Sequence, residues 1–117
     1  MARSRRKRRH QDSYGRRAKR EGYAARSVYK LEEIDEKTGI LRRGARVLDL
    51  GAFPGSWTSY AAEKVQREGK VFGVDLQPFR GALPENAEIV QGDLLEMSAD
   101  DFGGAGAWDV VMSDMAP

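Results

Sequence analysis

The sequence predicts an α/β fold built on parallel strands, and three observations carry that reading. Val47, Leu48 and Leu50 surround an acid, Asp49, and run into Gly51-Ala52-Phe53-Pro54-Gly55, after which helical spacing begins at Ser56. That order is strand, glycine-rich turn, helix, the opening of a nucleotide-binding α/β unit. A second acid, Asp75, closes the next apolar run and stands 20 positions after Gly55. Strand-like and helix-like stretches keep alternating as far as Met112, the pattern of a parallel sheet.

A chain of 117 residues has room for one small domain. It has no cysteine, which excludes disulfides and thiolate metal sites. The lone histidine, His10, lies in a charged segment, so no metal site is expected. The apolar runs are too short to span a membrane. The basic N-terminus is not followed by the apolar segment of a secretory signal, and the cytoplasm is the expected location. Net charge is only +2, but residues 1–30 hold 12 Lys/Arg against two acids, whereas residues 31–117 hold eight against 16. A basic arm on an acidic body suits an anionic polymer, here a nucleic acid. A solubilising tail or a targeting segment is the alternative.

Three segments are expected: a basic disordered arm (1–11), a helical segment facing the nucleic acid (12–45) and a sheet domain (46–117). The arm, with Arg3, Arg5, Arg6, Lys7, Arg8 and Arg9, has almost nothing to bury. It would hold a nucleic acid through phosphate neutralisation without choosing a base. Residues 12–21 suit a short helix capped by Asp12 or Ser13, with Arg16, Arg17, Lys19 and Arg20 outward and Gly22 as its stop. A second helix is expected over 25–38, with Val28, Leu31 and Ile34 inward, Glu32, Glu33, Asp35 and Glu36 outward, and Gly39 past its end.

The first strand is expected over 46–50. Gly51 and Gly55 allow the chain to turn sharply and approach a ligand closely, and Pro54 stiffens the loop between them. The helix over 56–68 would present its unpaired first-turn N–H groups to whatever lies above the turn. Trp57, Tyr60, Ala61 and Val65 share one of its faces, and Gly69 would stop it. The second strand, 70–74, ends at Asp75, where a carboxylate can accept from a ribose diol or cap the turn near Pro78. A loop over 78–84 leads to a third strand, 88–90. Asp93 follows Gln91 and Gly92, a helical turn is expected at 98–102 and a flexible glycine turn at 103–106. A fourth strand over 108–112 leads to Ser113-Asp114-Met115-Ala116-Pro117.

The glycine spacing is not G-x-G-x-x-G, and a proline-stiffened loop suits a ligand without phosphates. Asp49-Leu50-Gly51-Ala52-Phe53-Pro54-Gly55-Ser56-Trp57 resembles motif I of the S-adenosylmethionine-dependent methyltransferases, and more narrowly that of the FtsJ family of RNA ribose 2′-O-methyltransferases. Arg26-Ser27-Val28-Tyr29-Lys30-Leu31 resembles that family's R-S-x-x-K-L segment, although Ala24 and Ala25 stand where relatives often carry a further arginine. Ser113-Asp114-Met115-Ala116-Pro117 resembles its motif IV.

The resemblance implies a Rossmann-like class I methyltransferase fold, truncated after the fourth of seven strands, with a basic N-terminal extension. It implies S-adenosylmethionine as cofactor and RNA as partner, above all ribosomal RNA of the large subunit. Lys30 and Asp114 would be catalytic, matching two members of a Lys-Asp-Lys-Glu set. The second lysine and the glutamate have no counterpart here. Gly55, Trp57, Asp75, Asp93 and Asp114 would contact the cofactor, Asp93 at the adenine amino group and Asp114 between the methyl and the substrate ribose. Other roles stay open for these residues. Lys30 suits a helix flank with its ammonium in water, Trp57 suits the core, and Asp93 suits a cap for the turn after it.

Two functional classes follow: an RNA ribose methyltransferase present as its N-terminal portion, or a non-catalytic module that binds cofactor or RNA. A small-molecule methyltransferase would leave the basic arm and the Lys30 segment unexplained. With strand four at an edge, residues 110–112 are expected to expose apolar surface, leaving the chain weakly stable or self-associating.

Overall fold

The computed structural model describes residues 27–104 and 106–115. The basic arm, the helix expected over 12–21 and Ala105 of the glycine turn lie outside the described residues.

The elements are α1 (Val28–Thr38), β1 (Arg46–Leu50), α2 (Ser56–Val65), β2 (Lys70–Asp75), β3 (Ala87–Gln91), a 3-10 turn (Ala99–Phe102) and β4 (Val110–Ser113). The four strands form one parallel sheet in the order β3-β2-β1-β4. This is the expected α/β architecture. The chain lays down β1, β2 and β3 in one direction and then crosses back to place β4 on the other side of β1. The gap between the C-terminal ends of β1 and β4 is therefore the switch point of the sheet, where open α/β folds form a binding crevice.

One face of the sheet holds the main core. Val47, Val71 and Met112 meet Trp57, Tyr60, Ala61 and Val65 of α2, while Val28, Tyr29 and Leu31 bring α1 onto the same cluster. The other face carries Phe72 between Phe102 and Trp108, with ring centroids 6.2 and 6.0 Å away.

The structure moves several expected boundaries, each for a local reason. On α1, Ile34 is exposed, because Val28 and Leu31 are buried and Glu32 and Asp35 half-buried. That 28-31-32-35 stripe leaves Ile34 on the flank. Asp35 turns inward to accept the Leu41 N–H at 2.9 Å. Gly39 ends the helix at φ 64°, its N–H donating to Asp35 O at 2.7 Å. Helix α2 stops at Val65, short of Gly69, because Gln66 takes φ 61°. The Asn86 side-chain amide donates to the carbonyls of Ala62 and Gln66 at 3.0 and 2.8 Å, beside the backbone N–H groups of Gln66 and Gly69 that they also accept. Trp108 falls outside β4 and donates its indole N–H to Phe102 O at 2.6 Å. Among the apolar residues of β4 only Val111 is strongly exposed, at 60%, while Met112 is buried on the opposite face. The expected apolar exposure at this edge is thus halved by the strand's alternation.

Gly73 is the point at which the sheet admits the site. A Cβ there would lie 2.7 Å from Ala52 Cβ and 3.0 Å from Thr58 Oγ1, so only glycine lets the turn and the start of α2 settle onto β2. Gly73→Ala is expected to lower stability by about 1–3 kcal/mol. Urea denaturation would read this as a lower midpoint at unchanged slope, and an unmoved midpoint would contradict the close approach.

Candidate functional site

The turn after β1 is fastened to the end of β2. Gly51 and Ala52 both donate their N–H groups to Val74 O, at 2.8 and 2.9 Å, and Phe53 N–H donates to Asp75 Oδ2 at 2.9 Å. The Phe53–Pro54 peptide is cis. Gly51 and Gly55 adopt φ 78° and 98°, values that disfavour residues with a Cβ. Close neighbours fill the space beside them. A Cβ on Gly51 would overlap the Met115 side chain, and one on Gly55 would lie 2.7 Å from the Phe79 ring.

Strand register brings the motif-like segments together. Leu50 pairs with Ser113, so Gly51 and Asp114 leave the sheet side by side at the switch point. Lys30 reaches across from α1 and places Nζ 3.2 Å from Asp114 Oδ1, joining residues 84 positions apart. Both partners meet solvent, with side chains 64% and 31% exposed. Such a pair adds little stability but gives the lysine a defined direction.

Trp57 belongs to the core and also borders the cleft. Its ring is buried in the core, and it also lines a narrow cavity of about 50 Å³ with Ser27, Asp49, Gly51, Ser56 and Asp114. Its indole N–H donates to Ser27 O at 3.1 Å. The same carbonyl accepts the Lys30 backbone N–H at 3.0 Å, so the first turn of α2 is tied directly to the first turn of α1.

Asp75 is half-buried at the tip of β2, and its second oxygen accepts the Gln77 N–H at 2.8 Å. Capping of the turn is thus present alongside anchoring of the glycine loop. Each carboxylate oxygen keeps acceptor capacity for a further donor. Asp93 lies one strand over, after Gly92 N–H donates to Asp75 O at 2.8 Å, and its side chain accepts the Leu95 N–H at 2.9 Å. The capping role of Asp93 is therefore real; the narrow cavity does not include it.

The sequence places Asp49 at the strand end where open parallel sheets bind ligands, and gives no role in the site to Thr58 or Ser56. Asp49 is 1% exposed, and its Oδ2 accepts from Thr58 Oγ1 at 2.7 Å. Burial pushes its carboxyl up to about 6; the Thr58 hydrogen bond opposes the rise, and the nearby Asp114 and Asp75 add to it. An acid inside an otherwise apolar strand, with a threonine nine positions on, was the available signal. Among the described residues no acid or histidine cluster suited to a metal ion occurs, and no helix is long and apolar enough to cross a membrane.

A glycine loop at the switch point, acids at the tips of neighbouring parallel strands and a helix start facing them define an α/β protein of the nucleoside-binding class. A model of the FtsJ-like methyltransferase family matches residues 23–117. The chain belongs to that family. It is 50% identical over 106 residues to the ribosomal RNA large subunit methyltransferase E of Sorangium cellulosum, covering 91% of this chain and 50% of the relative. The protein of the same name from Desulfosudis oleivorans is 51% identical over 107 residues, covering 91% and 52%. A solved Plasmodium falciparum structure described as a ribosomal RNA methyltransferase superposes with a TM-score of 0.69 at 27% identity, over 81% of this chain and 57% of that one. The chain thus spans about half the length of the curated relatives it matches.

Asp49 has a thermodynamic signature. Its folded pKa lies above the ordinary value of 3.8, so between about pH 4 and 6 the folded state holds the extra proton and this group's contribution to stability falls as pH rises. A shift of this size corresponds to a loss on the order of 3 kcal/mol across that window. Asp49→Asn keeps an acceptor for Thr58 and is expected to flatten this part of the stability–pH curve. Parallel curves for the two proteins between pH 4 and 6 would contradict the assignment.

Proposed function

We propose that this chain carries the cofactor-binding part of an S-adenosylmethionine-dependent RNA ribose 2′-O-methyltransferase whose substrate is ribosomal RNA of the large subunit. The observation that carries the reading is the 3.2 Å approach of Lys30 Nζ to Asp114 Oδ1 at the mouth of the glycine-loop cleft. Family membership and the names of the relatives supply the substrate class.

The residues present fit the cofactor. Asp75 offers acceptor capacity to a ribose diol, Asp93 stands at the next strand tip for the adenine amino group, and the cavity beside Gly51, Trp57 and Asp114 accepts a small polar end. Gly55 starts α2 without a side chain of its own in the way. When bound, the cofactor supplies a methyl group already activated by its sulfonium.

The chain's own residues orient the other reactant. A ribose hydroxyl is a poor nucleophile, and a lysine ammonium directed by a carboxylate can hold the 2′-oxygen in line and stabilise the negative charge that develops on it. Lys30 takes that role. Asp114 sets the direction of the ammonium from the tip of β4, and Trp57 fixes the start of the helix that carries it. The family resemblance assigns the proton to a second lysine without a counterpart among residues 1–117. The cluster of basic residues in 1–30 would hold the RNA backbone through counterion release, with affinity that falls steeply with salt. The open edge of β4, with Val111 exposed, favours self-association of this chain by itself.

The test is transfer of labelled methyl to undermethylated large ribosomal subunits, by this chain alone and with the remaining half of a relative supplied. Label on a ribose 2′-oxygen, reduced at least about 100-fold by Lys30→Ala and by Asp114→Ala, is the expected result. Label that survives both substitutions would overturn the assignment of the pair. Cofactor binding without label in either arrangement would favour a non-catalytic binding module. Because the pair is exposed, Lys30→Met is expected to change stability by less than about 1 kcal/mol, so lost activity in a variant with an unchanged melt reports on chemistry.

A further inference from the structure

Ser56 is the first residue of α2, and the cap position before it is Gly55, which offers no side-chain hydrogen bond. Its hydroxyl is therefore not spent on the helix start. Ser56 is 2% exposed, and its Oγ has no hydrogen-bond partner among the described residues. The other two buried polar side chains, Asp49 and Thr58, satisfy each other at 2.7 Å. A buried hydroxyl without a partner opposes stability, so its presence calls for a reason outside the fold.

The cavity that Ser56 lines supplies one. Asp49 and Asp114 form part of the same wall, and the volume of about 50 Å³ admits a group of a few heavy atoms and not a purine ring. The start of α2 adds amide N–H groups that lack intrahelical acceptors. Carboxylates that favour a cation and amides that favour an anion thus border one small space, and the hydroxyl beside them can donate to the anion or accept from the cation. A group carrying both charges within a few atoms is an α-amino acid.

We infer that the Ser56 hydroxyl, beside Asp49, is a binding group for the zwitterionic amino-acid end of the cofactor. The inference rests on the cofactor reading above. Ser56 then contributes to affinity at the expense of stability, and the two effects of its removal have opposite signs. A structural serine would lose both together.

The experiment compares two ligands by calorimetry on the full chain. S-adenosylhomocysteine carries the amino-acid end, and 5′-methylthioadenosine has the same adenosyl thioether without it. Ser56→Ala is expected to weaken S-adenosylhomocysteine about tenfold, to leave 5′-methylthioadenosine within about twofold, and to leave Tm unchanged or raised. Asp75→Ala, the control at the ribose, is expected to weaken both ligands. Wild-type affinity of Ser56→Ala for S-adenosylhomocysteine, equal losses for the two ligands, or a lowered Tm would each overturn the role of Ser56. A folded wild-type chain that binds neither ligand would instead overturn the cofactor reading, and this inference with it.

Discussion

A carboxylate buried at the end of an apolar strand is unfavourable unless something accepts its desolvation, and the Thr58 hydroxyl does so for Asp49 at 2.7 Å. That bond joins the end of β1 to the first turn of α2 and so defines the span of the glycine loop between them. The loop is then held from its other side by Val74 O and by Asp75, which take the N–H groups of Gly51, Ala52 and Phe53. Gly73 makes the closure possible by leaving room for Ala52 and Thr58. Strand, loop and helix therefore form one rigid unit whose polar groups face the switch point of the sheet.

Long-range assembly of the site is achieved through backbone geometry more than through strong side-chain bonds. Parallel pairing of β1 with β4 puts Asp114 beside Gly51. Ser27 O, accepting from both Lys30 N–H and the Trp57 indole, sets the start of α1 against the start of α2. The Lys30–Asp114 contact sits where these two constraints meet. An exposed pair of this kind is weak, so the scaffold positions the pair, and the pair does not hold the scaffold. That division suits a site whose charged groups must also meet a substrate.

Most of this architecture was legible because its signals are local. The strand–glycine–helix order at 47–57 and the apolar run ending at Asp75 each lie within a dozen residues, and they specified the sheet and the tip of β2. The pattern Arg26-Ser27-Val28-Tyr29-Lys30-Leu31 marked Lys30, but nothing in it could place Lys30 beside Asp114, since that depends on the crossover to β4. Asp49 was legible as an acid at the ligand end of its strand, but strand periodicity does not reveal the hydroxyl that donates to it from a helix nine positions later. Ile34 misled because three-residue spacing leaves open which side of a helix meets its neighbour; Glu32 and Asp35 took the half-buried positions. The early end of α2 was hidden because the group that completes it, the Asn86 amide, comes from a loop 20 residues beyond Gln66.

The central claim is that β1, β2, β3 and β4 alone assemble a cofactor cleft at one end of the sheet. The most direct measurement is a titration of the isotopically labelled chain with S-adenosylhomocysteine, followed through its backbone amide NMR signals. The account predicts saturable shifts concentrated at 49–58, at Asp75, at Asp93 and at Asp114, with the far end of the sheet around Lys70 and Asn86 unmoved. An unchanged spectrum of the folded chain, or shifts centred on that far end, would contradict it.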